Sequence, residues 1–186
     1  MLEALDVDMY DHIHVVLKNH PGVDRYAAFF VDPGGRRELL VAVVPTRYAS
    51  ALELRERVWS VLGRDEVPVV VGFLPQLPLD MDGSADGDGV VREMSSLAEP
   101  QVSRFVDPAT PLEEDLRNFV QDLLELPRVG MTDHMVDLGR TSLLALELST
   151  KICDKYDIQL APEDVFDAGT IRALTAVVER KQRDRR

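Results

Sequence analysis

The chain has 186 residues, a net charge of −12 at pH 7 and one cysteine, Cys153. A lone cysteine excludes an internal disulfide, and the negative charge of both halves repels phosphate backbones, which argues against nucleic-acid binding. No apolar run approaches the roughly 20 residues of a bilayer span, and the acidic start "MLEALDVDMYD" lacks the basic region of a secretion signal. The expectation is a soluble cytoplasmic protein without membrane contact.

The first segment alternates helix and strand signals. Tyr10 to Asn19 carries Ile13, Val16 and Leu17 on one helical face and stops at "HPGV", where Pro and Gly break the pattern. "RYAAFFVD" and "ELLVAVVP" are β-rich runs joined by "PGGRR", a hairpin signal. Ser50 and Glu53 form a capping box that opens a helix lined by Leu54, Val58, Val61 and Leu62 and closed at Gly63. "VPVVVGFLP" reads as a buried strand. These elements predict a small α+β domain, a three-stranded sheet with helices, over residues 1–80. Clustered Asp, Gly and Ser in residues 81–108 predict a mobile linker.

Residues 109–186 read as all-helical. Thr110, Pro111 and Glu113 supply a cap, a first-turn proline and a returning acid. Leu112, Leu116, Phe119, Val120 and Leu123 then keep helical spacing. A second helix runs from Ser142 to Tyr156 with Leu144, Leu148 and Ile152 four apart, and a short turn follows around Pro162. Thr170 caps a last helix whose inner face is Ile171, Leu174, Val177 and Val178. Four helices in so short a span predict a four-helix bundle.

Ser142 admits two readings, which are compatible. It begins a helix after Gly139, so its hydroxyl is placed as an N-cap. The same position offers free N–H donors and a positive dipole end, which suit a phosphate ester. Other candidate chemistry is weak. His12 and His14 are two apart and do not share a helical face as zinc ligands would. "DMDGSADGDG" lacks the terminal glutamate of a calcium loop. Cys153, Trp59 and the Phe29–Phe30 pair read as packing residues.

The sequence around Ser142 carries a resemblance. Asp137, Leu138, Gly139, Arg140, Thr141, Ser142, Leu143, Leu144 and Ala145 are similar to the pattern "D-L-G-G-x-S-L-x-A" of the peptidyl and acyl carrier domains of nonribosomal peptide and polyketide synthases. "TPLEEDLRNFVQDLLEL", "VGMTDHMVDLG" and "APEDVFDAGTIRALTAVV" resemble that family's first helix, long loop and last two helices, in order. The resemblance implies 4′-phosphopantetheine, delivered from coenzyme A by a phosphopantetheinyl transferase, on Ser142. It also implies partners in a loading (adenylating) enzyme and in downstream synthase or tailoring enzymes. Met135, Asp137, Arg140, Thr141, Leu143 and Val165 are the expected partner surface. Arg140 replaces the second glycine, and Thr141 replaces the usual Asp or His.

Residues 9–80 resemble the small C-terminal subdomain, the mobile lid, of adenylate-forming enzymes. That family closes the lid with a run like "L-P-L-T-P-N-G-K-V-D", whose lysine stabilises charge during adenylate formation. Aligning "LPLDMDGSAD" puts Ser84 at the lysine position; aligning "DGVVRE" puts Val90 there. No lysine occurs between Lys18 and Lys151, so in either register the cation is missing. The expectation is a non-catalytic carrier with a degenerate lid-like docking module. The alternatives are a scaffold with unmodified Ser142 and the lid half of a split adenylating enzyme.

Overall fold

The computed structural model describes residues 2–3, 7–32, 35, 37–62, 67–98, 101–138 and 141–185. The chain divides into two compact units, Met1–Arg104 and Phe105–Arg186.

In the first unit the sheet order follows the sequence: β1 (Leu2–Glu3), β2 (Val23–Val31), β3 (Glu38–Pro45), β4 (Val69–Phe73) and β5 (Val102–Arg104). β2 and β3 form the expected antiparallel hairpin, with Ala28 opposite Val41 and Phe30 opposite Leu39. β4 lies parallel to β3, and the crossover this demands is the helix α2 (Ala51–Leu62). Every residue of β3 from Leu39 to Val43 is buried, as in a strand covered on both faces. Helix α1 (Val7–Lys18) buries Ile13 and Leu17, and α2 buries Leu54, Val58 and Trp59. Ser50 Oγ accepts from the Glu53 amide at 3.1 Å, so the predicted cap is present. Gly63, the predicted stop, lies outside the described residues.

Two expectations are corrected here. Among the described residues the sheet has five strands, not three, although β1 is only two residues long. The span 81–108 is not a structureless linker, because it holds α3 (Gly87–Ser96) and β5. Asp86 caps α3 by accepting from the Gly89 amide at 3.0 Å. Val90 and Met94 then pack with Leu40, Ala42 and Val70 on one sheet face. Glycine composition hid an apolar series at 90, 94 and 97 that follows helical spacing. Close approach favours glycine at 89, where the neighbours are the capping carboxylate and Pro78, more than at 72, where the flexible end of Met94 can give way. A Cβ at Gly89 would lie 2.4 Å from Asp86 Oδ2, and one at Gly72 would lie 2.7 Å from Met94 Cε.

The second unit holds α4 (Pro111–Leu124), α5 (Ser142–Tyr156), α6 (Pro162–Asp167) and α7 (Ile171–Asp184). Thr110 and Thr170 cap α4 and α7 as predicted, each accepting at 3.2 Å from the amide three residues on. Glu113 does return, but to the Ala109 amide rather than to the cap residue itself. Leu116, Val120, Leu148, Ile152, Ile171, Leu174 and Val178 are fully buried. Each contributes about 1.5–3 kcal/mol by leaving water. A polar clamp joins α4 to α5: Tyr156 donates to Asp115, and Lys155 Nζ lies 2.6 Å from the same carboxylate. Among the described residues, no helix is long and apolar enough to cross a membrane.

Candidate functional site

The loop before α5 is held by backbone and by one buried acid. Asp133 is 1% exposed; its Oδ2 accepts from the Gly130 amide at 2.7 Å, and its own amide donates to Gly130 O at 3.1 Å. Gly130 is closely packed: a Cβ would meet the Phe105 ring at 3.0 Å and Val106 N at 3.2 Å, so these neighbours would have to shift. The Met131 amide donates to Val106 O, and Met131 O accepts from Arg172 N–H at the start of α7. Met135 N–H donates to Gly169 O at 2.7 Å, and His134 bridges to Thr170. Gly169 has φ +78°, a conformation that disfavours a side chain. The loop is thereby fixed at both ends of its 129–138 stretch.

At the end of this loop stand Thr141 and Ser142, both exposed. The helix cap is Thr141, not Ser142: Thr141 Oγ1 accepts from the Leu144 amide at 3.1 Å, and Thr141 O accepts from Ala145 N–H at 3.1 Å. Ser142 is the first helical residue, and among the described residues its hydroxyl has no hydrogen-bond partner. The capping half of its two sequence readings therefore falls to its neighbour. Because Thr141 does the capping, the Ser142 hydroxyl is left for other chemistry. No acidic side chain lies in the first turn of α5, so nothing there neutralises the positive end of the helix dipole. An exposed alcohol beside that dipole end is suited to carry a phosphodiester.

The expected partner residues divide. Leu143 is 62% exposed and Thr141 is exposed, while Asp137 is half-buried with its amide bonded to His134 O. Met135 and Val165 are 2% and 1% exposed, so both belong to the core and not to a contact surface. Each is an apolar residue that closes the interior of a small unit, a use sequence reading did not separate from surface display. Arg140, like Gly139, lies outside the described residues. Sequence reasoning passed over Val136 and Leu146, which are 42% and 52% exposed. Leu146 was discoverable, because it sits three residues from Leu143 and off the Leu144–Leu148–Ile152 stripe.

Elsewhere the weaker candidates have structural partners. His14 bonds the Tyr26 hydroxyl and stacks on Tyr10 with ring centroids 5.8 Å apart, whereas His12 is exposed. Burial, with a smaller contribution from Tyr10, pushes the Tyr26 phenol up to about 12. Cys153 Sγ accepts from the Leu160 amide at 3.3 Å. Trp59 and Phe30 are 2% and 1% exposed, and Phe29 is half-buried against the sheet core.

Residues 114–178 match the family described as "Phosphopantetheine attachment site". The chain is 34% identical over 185 residues to a probable non-canonical nonribosomal peptide synthetase, CymA, of Salinispora arenicola (strain CNS-205); the match covers 97% of this chain and 2% of that protein. It is 30% identical over 172 residues to a dimodular nonribosomal peptide synthase of Bacillus subtilis (strain 168), covering 90% of this chain and 7% of that protein. The chain thus spans a small fraction of the length of these curated relatives. A solved active-site mutant of a peptidyl carrier protein aligns with a TM-score of 0.41 at 22% identity, covering 43% of this chain and 89% of that one.

Proposed function

We propose that Ser142, inside the residues 114–178 that match the phosphopantetheine-attachment family, is the attachment point and that the chain acts as a non-catalytic carrier in nonribosomal peptide-type biosynthesis. The observation that carries the assignment is an exposed Ser142 hydroxyl, free of the capping bond, at the start of α5 inside the matched span. Ser142 Oγ would attack the pantetheine-bearing phosphorus of coenzyme A on a phosphopantetheinyl transferase. The Oγ–P bond forms, the P–O bond to adenosine 3′,5′-bisphosphate breaks, and the serine proton leaves to a base of the transferase. Once attached, the group supplies a terminal thiol able to hold an acyl or aminoacyl residue as a thioester. This chain's residues only anchor and orient it: Leu144 and Leu148 fix α5 to the core while Ser142 faces outward. The four helices α4–α7 around that core support the four-helix-bundle reading of the unit.

The partner surface in this reading is Leu143 and Leu146, one turn apart on α5, with Val136 on the approach. It serves the transferase, a separate loading enzyme and downstream synthase enzymes in turn.

The first unit fits a degenerate adenylation lid. Gly83, at φ +84°, turns the chain between Leu79 and Ala85, which bridge each other, and Asp86 then caps α3. This turn supports the register that places Ser84 at the lysine position. The alternative puts Val90 there, and Val90 is 0% exposed in the core, out of reach of a phosphate. A neutral serine does not replace that cation, so the unit is read as a docking module for a separate adenylating enzyme. Equal loading of the full chain and of residues 105–186 by such an enzyme would sink the docking role.

The attachment itself is tested by incubating the chain with coenzyme A and a broad-specificity transferase. A mass gain of one phosphopantetheine, absent in Ser142→Ala, is expected. No gain in the wild type would leave the scaffold reading in its place.

A further inference from the structure

Thr141 makes two of the bonds that close the first turn of α5. Its side-chain oxygen accepts from the Leu144 amide and its carbonyl from the Ala145 amide, both at 3.1 Å. Its backbone, at φ −122° and ψ 155°, is extended, so the chain turns into the helix at this residue. Packing holds the turn only from its third residue on. Thr141, Ser142 and Leu143 are all exposed, and the first buried side chain of the helix is Leu144. The first turn of a helix is also where local opening is easiest, because its amides have no partner within the helix.

Building on the attachment reading, we propose that Thr141 is a positioning residue for the modification of Ser142. Its hydroxyl keeps the first turn of α5 closed, so that Ser142 Oγ meets the transferase in one geometry instead of from a frayed segment. It acts through the helix start, and this is a different role from the partner contact expected of it in the sequence. When the competent form of a carrier is only partly populated, its apparent affinity falls by that fraction. Loss of a Ser/Thr cap lowers the closing equilibrium constant by about 2- to 30-fold, which sets the upper limit of the rise in KM. The cost should appear in KM for the carrier and spare kcat, since a carrier already bound to the transferase has its helix start held.

The test uses the full chain, coenzyme A and a broad-specificity transferase, with the mass gain followed over time for the wild type, Thr141→Val and Thr141→Ser. Valine keeps the shape and removes the acceptor; serine restores the acceptor without the methyl. Thr141→Val is expected to raise KM, by up to about 30-fold, at unchanged kcat, and Thr141→Ser to return it to the wild-type value. Hydrogen exchange at the Leu144 amide should quicken in Thr141→Val and slow again in Thr141→Ser. Should the valine variant lose helicity overall, Thr141→Asn, which caps by a carboxamide oxygen, gives the same comparison against the wild type. A wild-type KM in Thr141→Val overturns the inference and leaves Ser142 as the attachment point. A KM defect that neither serine nor asparagine repairs also overturns it, because that pattern is a lost surface contact. A wild type that gains no mass removes the attachment reading and this inference together.

Discussion

Replacing Asp133 by alanine should destabilise the helical unit and leave the sheet-containing unit unchanged. Asp133 is 1% exposed, and its carboxylate holds the Gly130 amide at 2.7 Å. A hydrogen bond to a charged group is worth about 1.5–3 kcal/mol, and an orphaned buried donor costs about 1–3 kcal/mol. Relief of the carboxylate's own desolvation offsets part of this. The net expectation is a loss of about 2–3 kcal/mol, or about 10–20 °C in Tm for a unit of this size. Asp133→Asn retains an acceptor oxygen and should lose about half as much. The assay exploits the placement of Trp59, the single tryptophan of the chain, in the first unit. Its fluorescence follows that unit alone, whereas far-UV circular dichroism also reports α4–α7. In Asp133→Ala the dichroism transition should fall with the fluorescence midpoint unmoved. A helical transition within about 0.5 kcal/mol of wild type, the range of an ordinary surface change, would refute the claim that Asp133 holds the loop.

The remaining predictions concern charge, backbone and surface. Lys155 and Tyr156 hold the Asp115 carboxyl, and Lys181 holds that of Asp164, below the usual carboxylate range. A depressed folded-state pKa contributes stability that is present above the unfolded value of about 3.9 and is lost as pH falls through the folded value. Acid titration of the helical unit should therefore show a falling midpoint below about pH 4, and Asp115→Asn should flatten the slope; an unchanged slope contradicts the clamp. Gly169→Ala must force an L-residue to φ +78° and should cost the helical unit about 1 kcal/mol or more by chemical denaturation. Arg55, 0% exposed, bonds Ser103 Oγ at 3.2 Å and lies 5.2 Å from the Trp59 ring. Arg55→Ala should lower the Trp59 fluorescence transition by about 2–5 kcal/mol. Leu143→Ala combined with Leu146→Ala should leave stability within about 1 kcal/mol yet slow transfer by the transferase; unaffected transfer removes these leucines from the partner surface.

The legible parts of the sequence were those with strong local chemistry. Thr110 and Thr170 cap as expected, the hairpin follows its β-rich runs and the "PGGRR" turn, and the Leu144–Leu148–Ile152 stripe follows helical spacing. The departures from the sequence expectations have physical causes. Helix α3 was hidden because Gly87 and Gly89 suggested a linker, and only the fold shows Val90 and Met94 finding a sheet to bury against. Met135 and Val165 look like any apolar residue beside a motif, and whether such a residue faces in or out is decided by contacts remote in sequence. Ser142 was read as its own cap because Thr141 and Ser142 are both capping residues, and sequence gives no sign of which one turns the chain into the helix. That distinction bears on function, since it decides which of two adjacent hydroxyls is free. Arg55 was missed because its burial depends on Ser103, which is distant in sequence.

The most direct test of the central claim is tandem mass spectrometry of the modified chain, locating the phosphopantetheine within the peptide that contains both Thr141 and Ser142. The group is expected on Ser142 alone, with Thr141 unmodified and its hydroxyl oxygen accepting from the Leu144 amide. Attachment at Thr141, or continued modification of Ser142→Ala at the wild-type rate, would contradict it.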